Sequence, residues 1–129
     1  MPSNERKLRM VLLINAAFSM LSGLILLVAY NAIATMMGIE NGKVLMGVGI
    51  GLIVFGITVL IAAKRKSVSG KQVRSIIVQD WAWVTGSAVV IALQAWELSN
   101  IGYWLIGIIA MIVADFAIFQ MRYLRKMSA

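Results

Sequence analysis

Four predominantly apolar stretches, residues 10–30, 44–63, 75–96 and 101–121, run between clusters of charge. Each is close to the ~20 residues that an α-helix needs to cross hydrocarbon. Within lipid every backbone N–H and C=O must find a partner inside the segment, which leaves helices or closed barrels as the choices. A barrel would show ~10-residue segments of alternating polarity, and this chain has none. With 61% of its 129 residues hydrophobic and 13% charged, little is left to build a soluble domain. The expected fold class is all-α, a polytopic membrane four-helix bundle forming one transmembrane domain over residues 1–129. The turns "GIENG", Gly38 to Gly42, and "ELSNIG", Glu97 to Gly102, are short enough to make helices 1 and 2, and helices 3 and 4, antiparallel neighbours.

Charge placement gives an orientation. Arg6, Lys7 and Arg9 precede helix 1; Lys64, Arg65, Lys66, Lys71 and Arg74 lie between helices 2 and 3; Arg122, Arg125 and Lys126 follow helix 4. Of the 12 basic residues, Lys43 alone falls on the other side, so the positive-inside rule predicts cytoplasmic termini, N-in and C-in. Tyr30, Trp96, Tyr103 and Trp104 sit at the opposite ends, where aromatic anchors belong. The net charge of +7 is spread through loops flanking helices, so it points to anionic headgroups at the cytoplasmic face and not to nucleic acid. The first 30 residues have the basic-then-apolar order of a secretory signal, but the apolar run is longer than the usual ~7–15 residues and reads as a retained helix.

A second pattern is internal. Residues 6–23 set against 71–88 align Arg9 with Arg74, Asn15 with Asp80, Ala17 with Ala82 and Ser22 with Ser87, at a constant offset of 65. Further on, "LMG" at 45–47 matches "LIG" at 105–107, and Arg65 and Lys66 match Arg125 and Lys126, at an offset of 60. The expectation is a duplication of two helical hairpins, about 6–66 and 71–126, related by an axis along the membrane normal.

Polar residues inside the apolar stretches are the candidate site. Asn15 and Asp80 lie six residues from Arg9 and Arg74, and Asp115 lies seven before Arg122. At ~1.5 Å per residue all three fall roughly 9–11 Å from their flanking arginines, and Thr58, six before Lys64, can join them. Asn15, Thr58, Asp80 and Asp115 are therefore expected to form one polar layer. Asp80, Ser87 and Gln94 recur every seven residues along one face of helix 3, with Ser22 as the helix 1 counterpart of Ser87. Two readings of the acids stand side by side. In one they share a proton or line a cation path; in the other they hydrogen-bond their neighbours and fix helix register.

Small residues four apart, Ser19 with Gly23, Gly47 with Gly51 and Ala82 with Gly86, are expected helix-packing positions. The chain has no histidine and no cysteine, which excludes bis-His haem, a His shuttle, thiol nucleophiles and iron–sulfur ligation. The nine methionines read as packing, so no metal and no cofactor is expected. The segments "RMVLLINAAFSMLSG", "VRSIIVQDWAWVTGS" and "FQMRYLRK" resemble small, functionally uncharacterised four-helix proteins of bacterial inner membranes. That resemblance implies the four-helix membrane fold and brings no activity or catalytic residue with it. The expected function is a non-enzymatic accessory, assembly or lipid-interacting membrane module, whose partners are membrane lipids and a homo-oligomer or larger membrane complex. The alternative is an oligomeric proton- or cation-coupled transporter or channel that uses Asp80 and Asp115.

Overall fold

The computed structural model describes residues 2–93 and 98–128; Gln94, Trp96 and Glu97 lie outside this range. The described residues form five helices: α1 (Pro2–Val28), α2 (Tyr30–Met37), α3 (Lys43–Lys64), α4 (Gly70–Leu93) and α5 (Asn100–Ser128). Four of them, α1, α3, α4 and α5, are long and apolar enough to span a membrane, the make-up of a multi-pass integral membrane protein. Their outward surfaces fit that reading: Leu21, Leu24, Val54, Val78 and Met111 are large apolar side chains left exposed, which water would penalise and lipid tails do not.

The helices extend past the apolar stretches because their ends are tied down by polar contacts. α1 begins near the N-terminus, where Glu5 pairs with Arg9 at 3.2 Å and accepts a 3.1 Å hydrogen bond from the Val68 backbone N–H of the α3–α4 loop. Ser69 caps α4, its Oγ accepting from the Gln72 N–H at 3.3 Å. Ser99 does the same for α5, accepting from the Gly102 N–H at 3.1 Å.

The short helix α2 has no counterpart among the four expected stretches. The hydrogen-bond ladder runs through the bend at Ala29, with Ala29 N–H to Ile25 O at 2.8 Å and Ile33 N–H to Ala29 O at 3.0 Å. The chain thus changes direction without leaving helical bonding. Gly38, at φ 80°, then stops it in a Schellman arrangement: Ile39 N–H reaches Ala34 O at 2.8 Å and Gly38 N–H reaches Thr35 O at 3.3 Å. Ser99 completes this corner, its N–H donating to Met37 O at 2.8 Å and its hydroxyl to Met36 O at 2.7 Å. Ser99, just before α5, is thereby fastened to the end of α2. Ala34, Met37 and Leu45 form a small buried cluster beneath it.

Packing is uneven. α1 lies along α3 over most of its length, α4 packs on α5, and α1 also packs on α5, whereas α3 and α4 barely touch. The order around the molecule is α3, α1, α5, α4. The main core gathers at the basic end from α1, α3, α4, α5 and the α3–α4 loop: Leu8 and Leu12, Val59 and Ala62, Val73 and Ile76, and Leu124. Toward the other end α4 shows mostly exposed surface, including Trp83, Gly86 and Val89.

The closeness of α1 and α3 has a specific cause. A Cβ on Gly23 would stand 2.5 Å from Gly49 O, and one on Gly49 would stand 2.8 Å from Gly23 O. A Cβ on Gly56 would collide with Met20. The pair that was expected on helix 2 is different: Gly47 and Gly51 face open space. They share a face with each other, but Gly49 and Gly56, seven apart, lie on the face that meets α1. In helix 3 of the expected scheme, Ala82 and Gly86 are likewise exposed. Ser19 and Gly23 do lie at buried positions of α1.

Candidate functional site

Three helices deliver polar side chains to one buried point. Asn15 comes from α1, Asp80 from α4 and Gln120 from α5, and none is more than 2% exposed. Each lies on the buried stripe of its helix. On α1 the stripe runs Leu8, Leu12, Asn15, Ala16, Ser19; on α4 Val73, Ile76, Ile77, Asp80; on α5 Val113, Ala117, Gln120, Leu124. Helical spacing of three and four carries the polar residues inward with the apolar ones.

The three side chains close a ring. Asn15 Nδ2 donates to Gln120 Oε1 at 2.9 Å and to Asp80 Oδ2 at 3.2 Å. Gln120 Nε2 donates to Asp80 Oδ2 at 2.8 Å. Ser19 adds a fourth member, its hydroxyl donating to Asn15 Oδ1 at 3.3 Å. Among the described residues, no buried side-chain nitrogen or oxygen lacks a partner. The arrangement joins α1 to α4 across the interior, although no Cα atoms of these helices come within 8 Å. Both amides donate to the same carboxylate oxygen, Oδ2 of Asp80.

The structure places the other expected site residues as follows. Asn15 and Asp80 meet directly. Thr58 is exposed on α3, its hydroxyl donating to Val54 O one turn back at 3.0 Å, the usual way a lipid-facing hydroxyl is satisfied. Asp115 is exposed on α5; it is five residues from Gln120, which turns it roughly 140° away from the interior face. Ser87 is buried and Ser22 half-buried, but among the described residues neither is bonded to the ring. Gln94 lies outside the described residues. Arg74 is exposed and does not reach Asp80.

Gln120 is the member that the polar-layer reasoning missed. Gln120 is two residues from Arg122, short of the six or seven that separate Asn15, Asp80 and Asp115 from their arginines. The signal that would have found it is register: Gln120 continues the three-and-four spacing of Ala110, Val113 and Ala117, and Asp115 breaks it.

Two surface grooves flank this interior. One, of about 360 Å³, lies at the basic end among Glu5, Arg6, Arg9 and Lys66. The other, of about 370 Å³, lies between α1 and α5 and is walled by Val11 and Ile14 on one side and by Ile112, Asp115, Phe116, Phe119 and Tyr123 on the other. No protein-family model, curated protein or solved structure matches the chain.

Proposed function

We propose that this chain is a non-enzymatic module of the bacterial cytoplasmic membrane, a four-helix bundle with both termini inside, serving as an accessory, assembly or lipid-interacting protein. The observation that carries the reading is the closed ring of Asn15, Asp80 and Gln120, in which the polar groups engage one another. Such a ring acts as a clamp. It ties α4 to α1, beside the packing of α4 on α5, where the α3–α4 interface is nearly missing. The groove at the basic end offers Arg6, Arg9 and Lys66 against the single acid Glu5, which suits the phosphate of an anionic headgroup. A hairpin duplication is supported by the direct meeting of Asn15 with its counterpart Asp80. The two hairpins have diverged in packing, because Ile109 and Phe116 stand where the first has Gly49 and Gly56.

The transporter reading requires a second subunit. Within one chain Asp115 is on the outer surface and Asp80 is inside, so the two acids do not form a pair. Reconstitution distinguishes the readings. The module reading expects liposomes containing the protein to dissipate proton and cation gradients no faster than empty ones. Gradient-driven flux that disappears in a folded Asp80→Asn variant would overturn it.

A further inference from the structure

Among the described residues, Asp115 is an acid within an apolar span that has no partner. It lies within the apolar span Asn100–Lys126 and is exposed on its outer surface. Among the described residues it has no hydrogen bond, and the one ion pair there joins Arg9 to Glu5. An acid facing lipid at such a position calls for a cationic partner. The surface around it is apolar and ordered by its own contacts. Phe116 is held edge-on by Phe18 of α1, with ring centroids 5.6 Å apart. Phe119 stacks on Tyr123 at 6.4 Å. At the far end Lys126 Nζ stands 5.8 Å from the Tyr123 ring centre, so this aromatic run already attracts one cation.

The geometry points to a binding site for a lipophilic organic cation in the α1–α5 groove, with Asp115 as its counter-charge and the faces of Phe116 and Phe119 seating its apolar body. The groove, about 370 Å³, is open along its outer side between α1 and α5. A hard metal ion is poorly matched, since one carboxylate among hydrocarbon cannot replace its shell of about six oxygens. A diffuse, weakly hydrated charge gives up water readily and gains from the ring faces as well as from the carboxylate. The site is separate from the buried clamp and stands or falls without it.

Radiolabelled tetraphenylphosphonium, a bulky monocation, is a direct probe. In equilibrium dialysis with the full chain in uncharged maltoside micelles, saturable binding of one probe per chain is expected. Asp115→Asn should bind at least about tenfold more weakly, with its melting temperature unchanged because the residue is exposed. Phe119→Ala should also weaken binding, whereas Glu40→Gln, an exposed acid at the opposite end, should not. Tetraphenylborate, of similar shape and opposite charge, should fail to compete. Equal affinity in Asp115→Asn, absence of saturable binding, or competition by tetraphenylborate would each overturn the proposal. Displacement of the probe by phosphatidylethanolamine but not by phosphatidylglycerol would reassign the groove to a lipid amine. A wild-type oligomer that dissociates on Asp115→Asn and binds no probe would reassign it to a partner helix.

Discussion

Asp80 accepts from amides on two other helices, so replacements that differ in hydrogen-bonding capacity should differ in effect. Asparagine keeps a carbonyl oxygen for Asn15 and Gln120; leucine leaves both amides without their shared acceptor. Interhelical hydrogen bonds in membranes average about 0.6 kcal/mol and reach about 1.7 kcal/mol, and stranding a buried polar group costs about 1–3 kcal/mol. Asp80→Leu and Gln120→Leu should therefore each destabilise by roughly 1–3 kcal/mol in thermal or denaturant unfolding in detergent, with Asp80→Asn much milder. Asp115→Leu should cost nothing, because the side chain is exposed and has no partner among the described residues. A loss for Asp115→Leu as large as that for Gln120→Leu would show that the acid is interior. At this scale the sequence made the pairing of Asn15 with Asp80 legible but not which residue of α5 joins them. Asp80 could be oriented from its own helix, since it shares a face with Val73, Ile76 and Ser87. Asp115 could not, because it is off the buried register of α5, which the neutral Gln120 follows.

Among the elements, the α1–α3 interface depends on backbone contact, which makes its glycines separable by experiment. Adding one methyl at Gly49 or Gly23 forces the opposite backbone away, and overpacking of this kind costs about 1–3 kcal/mol. Gly49→Ala and Gly23→Ala should lower the melting temperature in detergent, whereas Gly47→Ala and Gly51→Ala should leave it unchanged or raise it slightly. The reverse ranking would place the other face of α3 against α1. The GxxxG spacing was visible in the sequence, but four glycines at 47, 49, 51 and 56 occupy two faces of one helix, and spacing cannot choose between them. Helix α2 was hidden for a related reason. Its eight residues are too few to span lipid, and its start is a bend at Ala29 with no proline or glycine to mark it. Its end was legible, because Gly38 supplies the left-handed conformation that the Schellman turn needs. Ser99, which both caps α5 and binds Met36 O, ties α2 to the second hairpin. Ser99→Ala should destabilise the protein by about 1 kcal/mol and quicken amide hydrogen exchange in residues 34–39 more than in the buried half of α4.

For the molecule as a whole, the question is how the ends are distributed across the membrane. Contacts within the structure already bring the basic clusters to one end: Arg9 Nη2 donates to Lys66 O at 3.3 Å, and Leu124 lies 3.6 Å from the position of a Cβ on Gly70. The α2–α3 turn, near Lys43, is at the other end, with Ser99 beside it. Moving the clustered cations across a bilayer during insertion is far less favourable than moving one lysine, so the basic end should remain in the cytoplasm. The absence of native cysteine makes this directly measurable. Asn41 and Ser67 are exposed, one in each end's loop, so cysteine at either position should be tolerated. In intact cells a membrane-impermeant thiol reagent should label Asn41→Cys and spare Ser67→Cys until the membrane is opened. Labelling of Ser67→Cys alone would invert the orientation, and labelling of both in intact cells would mean that the chain inserts in two directions. The second outcome has a physical basis to be tested alongside it. Neutralising Arg65, Lys66, Lys71 and Arg74 together removes four of the five cations around the α3–α4 loop, and it should convert single labelling at Asn41→Cys into dual labelling if charge, and not helix packing, sets the direction of insertion.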